Sequence, residues 1–169
     1  MPTSTDDAGR AGGRGKWSTP GVPHRGWMCV DVEDLGEPTH VCEMCESSSV
    51  RFVHFMSHQH YPDVLEVGCV CAGHMEENHA AARGRDSRMQ ARATRRMRWL
   101  RRRWRTSARG NEWLRSDGYR VTIQQRADGW AVSLAREDTN DVFHGRRRFR
   151  TSDAAKLAAF DAITRLGQS

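Results

Sequence analysis

The sequence predicts an α+β fold in three parts: a small cysteine-knuckle module, a long basic helix, and a C-terminal β-β-β-α module. Three observations carry this expectation. Two cysteine clusters, Cys42-Glu43-Met44-Cys45 and Cys69-Val70-Cys71-Ala72-Gly73-His74, bracket residues of strand-forming type. Twelve arginines and a single acid, Asp86, occupy residues 83–109. Alternating apolar residues flank Asp128-Gly129, and an alanine-rich segment closes the chain.

Composition bounds what the chain can be. Of its 169 residues 37% are apolar and 28% charged, so the core is modest. Small cores commonly need a staple such as a metal. No apolar run approaches membrane-spanning length, so no membrane partner is expected. The first residues lack a basic stretch followed by an apolar one, which leads to the expectation of a cytoplasmic protein. There thiols stay reduced, and clustered cysteines hold metal more often than they form disulfides.

Residues 1–24 are mostly Gly, Ser, Thr, Pro and Asp, with Trp17 the one large apolar group, and are expected to be a disordered tail. The metal module is assigned to residues 25–82. Met28, Val30 and Val32 alternate as a half-buried strand. Cys29 lies on it as a small buried residue or a spare ligand. Val50–Met56 and Val64–Val67 read as strands on either side of a loop containing His58 and His60. Knuckle, strand, loop, strand, knuckle is the layout of a treble-clef or ribbon-like zinc module.

Zinc binds thiolates in a tetrahedron and takes its ligands in pairs on tight turns. Cys42 and Cys45 supply one pair. Cys69 with Cys71, or Cys71 with His74, supplies the other. The expectation is one structural zinc ion held by Cys42, Cys45, Cys69 and Cys71, with His74 the alternative to Cys69. A closed set of four leaves no open position for chemistry. His54 is read as packing in its strand and His58 and His60 as polar loop residues; a second metal site or nuclease residues are the other readings.

The basic helix is assigned to residues 83–110, within a helical stretch from 74 to 108 that Gly84 could interrupt. Met89, Ala93, Met97, Leu100 and Trp104 draw an apolar stripe along it. The other faces are arginine: Arg88, Arg92, Arg95, Arg96, Arg98, Arg101, Arg102, Arg103 and Arg105. Like charges at this spacing repel, and an anionic partner relieves them. The guanidinium fork matches phosphate. Trp99 and Trp113 either stack on bases or pack on neighbouring strands. Residues 111–169 form the last module. Tyr119–Ile123 and Trp130–Leu134 pair through the Asp128-Gly129 turn, Val142–His144 with Arg147–Phe149 makes a third strand, and Thr151 or Ser152 caps the final helix.

On these residues four resemblances can be stated. The stretch from Gly26 to Asn78, through Cys42-Glu43-Met44-Cys45, Val50–His54, Tyr61-Pro62 and Val67–Met75, resembles a family of small zinc-ribbon-like proteins of bacteria and their phages. That resemblance implies Cys69 and Cys71 as ligands and nothing about substrate. The β-β-β-α order after a basic helix is similar to double-stranded RNA-binding domains, although Lys156 alone stands where those carry a lysine cluster. It is also similar to DNA-binding modules that lay a three-stranded sheet in the major groove, where Arg120, Thr122, Gln124 and Ser133 would read bases. The two knuckles also resemble HNH-type nucleases, which would make His54 the base and His79 a metal ligand. Val53, however, stands where a second His or an Asp belongs.

The expected function is non-enzymatic binding of nucleic acid, DNA or RNA, through the arginine helix and Arg146, Arg147 and Arg148. The alternatives are an HNH-like nuclease using His54 and an adaptor or inhibitor that binds an acidic protein.

Overall fold

The computed structural model describes residues 14–167, which are mixed α/β with three α-helices and antiparallel sheets. The chain divides between Ala93 and Thr94 into two compact units.

In the first unit, β1 (Met28–Asp34), β4 (Phe52–His58) and β5 (Tyr61–Val67) form an antiparallel sheet in the order β1-β4-β5. The two-stranded pair β2 (His40–Val41) and β3 (Ser49–Val50) carries the first knuckle as its loop. The His58–Asp63 loop expected from sequence is shorter, because His58 pairs with Tyr61 and only Gln59 and His60 turn. The alternation read for β1 does not hold. Met28 and Val30 are 66% and 55% exposed, because the register shifts between Cys29 and Asp31 on this edge strand. Trp27, one residue earlier, is the buried anchor.

The long helix predicted from residue 74 is two helices. α1 (Cys69–Met75) ends where Asn78 N donates to Gly73 O and Glu77 N to His74 O, with Glu77 left-handed at φ 57°. This is a Schellman stop with glutamate where glycine is usual. Asn78 then caps α2 (His79–Leu100) by accepting from Ala81 N at 3.0 Å. Gly84 lies within α2 without interrupting it. The predicted stripe is not a buried face. Met97 is 54% exposed, and the buried positions of α2 are Ala82 and Trp99, one in each unit's core.

The second unit holds a five-stranded antiparallel meander, β10-β9-β8-β7-β6. Its strands are β6 (Arg105–Thr106), β7 (Glu112–Ser116), β8 (Tyr119–Arg126), β9 (Gly129–Arg136) and β10 (Val142–His144). β7 went unpredicted, yet the turn after it, Asp117-Gly118, has both residues at positive φ, 52° and 77°, as a type I′ hairpin requires. The expected Arg147–Phe149 extension is a single bridge from Phe149 to Trp130. α3 (Ser152–Leu166) is capped as expected, with Thr151 Oγ1 accepting from Ala154 N at 3.1 Å. It covers one sheet face through Ala155, Ala159 and Ile163, against Leu114, Val121, Ile123, Val132 and Leu134.

Candidate metal centre and basic surface

Cys42, Cys45 and Cys71 bring their sulfurs within 4.8 Å of one another and could hold a metal ion. The first knuckle is built by backbone bonds: Cys42 N donates to Ser48 O and Glu46 N to Cys42 O, both at 2.8 Å. β5 receives it, with Glu43 N donating to Glu66 O at 2.9 Å and Glu43 Oε2 accepting from Glu66 N at 2.7 Å. Cys71 arrives from the first turn of α1.

These thiols are prepared for charge. The Cys71 thiol donates to the Cys42 sulfur, and this is the main reason that Cys42 falls to about 5; the amides of Cys45, Gly68 and Met44 assist. Gly68 N lies 3.4 Å from that sulfur. Cys71 is correspondingly pushed up, because it keeps the shared proton. Burial opposes ionisation of Cys45, yet Ser47 and Ser48 bring it below the ordinary thiol value. A bound cation would displace the proton shared by Cys42 and Cys71.

Cys69 does not join this cluster. Two residues apart on one helix, Cys69 and Cys71 point about 200° apart around its axis. On a tight turn the C-x-C spacing would bring both together; α1 separates them. Cys69 instead lies within 4.8 Å of His54 and Asp86. His74, three residues after Cys71, shares its side of α1. Its ring makes an edge contact with His79 at 4.4 Å and with Trp17 at 6.3 Å.

Composition assigns Trp17 to a disordered tail, and the structure does not. Residues 1–13 lie outside the described residues, but Gly15–Ser18 forms a 3₁₀ turn against the knuckle, with Lys16 N donating to Met44 O at 2.9 Å. Gly15 sits at φ 61°, and a Cβ there would meet Met44 O at 2.8 Å, so glycine is what lets the segment approach. Trp17 is 7% exposed, and its indole N–H stands against the Cys71 thiol, whose charged form it favours. A large apolar residue in a glycine-rich stretch was the available signal.

His54 packs in β4 as expected and is fully buried. His58 packs its ring at a tilt against Trp27, centroids 5.2 Å apart, and its Nδ1 accepts from His60 N at 3.0 Å. His79 packs against Gly73 of α1.

The arginines fall on different elements. Arg88, Arg92, Arg95, Arg96 and Arg98 are on α2; Arg101, Arg102 and Arg103 follow its end; Arg105 is on β6; Arg146, Arg147 and Arg148 lie between β10 and α3. The second unit carries eighteen Lys and Arg against eight Asp and Glu, a formal charge of +10, whereas the first carries −4. Some of this charge is spent internally. Arg96 pairs with Asp161 and Arg148 with Asp128, each at 3.3 Å, and Arg102 bonds Ser116 and Arg115 O. Arg95, Arg98, Arg101 and Arg103 have no ion pair among the described residues. Lys156, which stands where double-stranded RNA-binding domains carry phosphate-gripping lysines, is 7% exposed and paired with Glu112 at 2.7 Å, so it serves the core and not a phosphate. Trp99 is likewise interior, its indole donating to Lys156 O at 2.8 Å.

The sheet face opposite α3 gathers polar groups. Pairing aligns Arg105, Trp113, Thr122, Ser133 and His144 across the five strands, beside Arg115 and Arg120. The guanidinium carbons of Arg105 and Arg120 stand 5.3 and 4.6 Å from the centre of the Trp113 ring. A groove next to it is lined by Arg102, Arg103, Arg105, Trp113, Leu114 and Arg115. Arg120, Thr122, Gln124 and Ser133 thus share one face, Ser133 being buried against His144 Nδ1 at 3.0 Å.

No protein-family model, curated protein or solved structure matches the chain. Among the described residues no helix is long and apolar enough to cross a membrane.

Proposed function

We propose that the chain is a zinc-stabilised, non-enzymatic nucleic-acid-binding protein. The observation that carries the reading is the second unit's +10 charge, part of which gathers as Arg102, Arg103, Arg105, Arg115 and Arg120 around Trp113 on a sheet face that α3 leaves uncovered. Guanidinium groups bind phosphates bidentately, and the neighbouring Thr122 and Gln124 supply groups that can meet base edges or sugars. In the first unit, zinc on Cys42, Cys45 and Cys71 makes a treble-clef-like knot, with His74 as fourth ligand on the same side of α1. Thiolate-rich donor sets favour zinc over the hard cations. The nuclease alternative is disfavoured by His54, which is fully buried and so out of reach of a polymer.

The test is binding to duplex DNA, duplex RNA and single strands at two salt concentrations. Affinity is expected to fall steeply as salt rises. Replacing Arg95, Arg98, Arg101 and Arg103 together by Ala is expected to flatten the log–log salt slope by about 0.9 for each duplex phosphate contact removed. Absence of binding at low salt, or binding insensitive to salt, would refute the reading; retention of an acidic protein alone would favour the adaptor.

A further inference from the structure

We infer that His54, Cys69 and Asp86 form a second metal site, separate from the three-cysteine cluster. The residues come from β4, from the first position of α1 and from α2, all within the first unit. Their donor atoms lie within 4.8 Å of one another. An independent observation points to a ligand there. His54 is 0% exposed, and its Nε2 has no hydrogen-bond partner. The nearest charged oxygen, Asp86 Oδ1, lies 3.5 Å away, beyond a good N–H···O bond. Buried polar atoms are normally satisfied, and a cation between these three groups would satisfy this one.

The donor set selects the kind of ion. One thiolate, one imidazole and one carboxylate suit zinc or a neighbouring transition metal and not calcium or magnesium. Three protein donors leave a fourth position for water or another small ligand.

The surroundings add one requirement. Arg85 Nε lies 3.4 Å from His54 Nδ1, while the same guanidinium is paired with Glu76. A metal on Nε2 places the imidazole proton on Nδ1, facing that N–H. Arg85 must therefore turn slightly, breaking a long and weak contact while keeping Glu76. Metal-bound histidines usually give their other N–H to a carboxylate or carbonyl, and Glu76 is the neighbouring carboxylate. Arg85 thus opposes loading by charge and by geometry.

The experiment is metal titration of the full chain under reducing conditions, with zinc counted by mass spectrometry and Co²⁺ used as a spectroscopic probe. Wild type is expected to bind two equivalents. Cys69→Ser and Asp86→Asn should each weaken the second equivalent at least about ten-fold and keep the thiolate-rich cobalt spectrum of the first. Arg85→Gln should tighten the second. Saturation of wild type at one equivalent overturns the inference, as does a second equivalent that both variants retain unchanged. If the variants do not fold, the wild-type count decides: two equivalents with a distinct cobalt signature of single-thiolate type supports the site, and one equivalent ends it.

Discussion

The core of the first unit is rich in sulfur, and the core of the second is hydrocarbon. Met44, Met56 and Met75 are fully buried beside Cys42 and Cys71, with Leu65, Val67, Ala72 and Ala82 the aliphatic members of the cluster. In the second unit Leu114, Val121, Ile123, Val132, Leu134 and Ile163 pack around Trp99. Methionine fills irregular space but specifies shape weakly, and buried thiols that share a proton are a poor substitute for bonded ligands. The second unit buries branched residues between a twisted sheet and a helix, an arrangement stable without a cofactor. On the proposed zinc reading, the contrast teaches that one chain can hold two units whose stabilities answer to different variables: metal for the first, packing and charge for the second.

Removing the metal should produce the largest effect. Structural zinc contributes about 10 kcal/mol or more in small metal-folded peptides, comparable to the whole stability of a domain. A chelator, or Cys42→Ser, is therefore expected to unfold the first unit and leave the second. Thermal scans by circular dichroism should lose one transition and retain strand signal. Simultaneous loss of both transitions would break the comparison. Next in size is Ile123→Ala. Its side chain is fully buried, and truncation there costs about 2–5 kcal/mol. The metal-independent transition should fall while metal content stays unchanged.

A smaller effect tests the charge inside the second core. Burial opposes ionisation of Glu112, but Lys156 and Ser152 bring its carboxyl below 4.5. A depressed carboxyl contributes stability that is present above the unfolded value and lost as pH falls toward the folded one. Glu112→Gln should lower stability at neutral pH by about 1–2 kcal/mol, and the variant should lose less than wild type on acidification below about 4.5. Equal acid sensitivity would assign the acid limb to other carboxylates.

What could be read from sequence was local. The Cys42-x2-Cys45 pair, the Thr151 cap and the Asp128-Gly129 turn depend on residues a few positions apart, and each stands where expected. The same logic would have found β7, since Asp117-Gly118 is the same dipeptide. Asn78, a residue that favours helix caps, marks the stop at Glu77-Asn78 in the same way. Asp86 was visible as the lone acid among twelve arginines, but nothing local placed it beside His54.

By itself the sequence determined the kinds of donors present, the segregation of positive charge and the local turns and caps at Asp128-Gly129 and Thr151. These follow from residue type and short-range spacing. Only the tertiary structure decided which thiols meet. A helix at the second knuckle turns Cys69 away from Cys71 and toward His54, and a distant tryptophan, Trp17, closes over the remaining cluster. It likewise decided that Lys156 is buried, because Glu112 on β7 faces it. Helical phase and long-range pairing set the direction of a side chain, and neither is written in its neighbours.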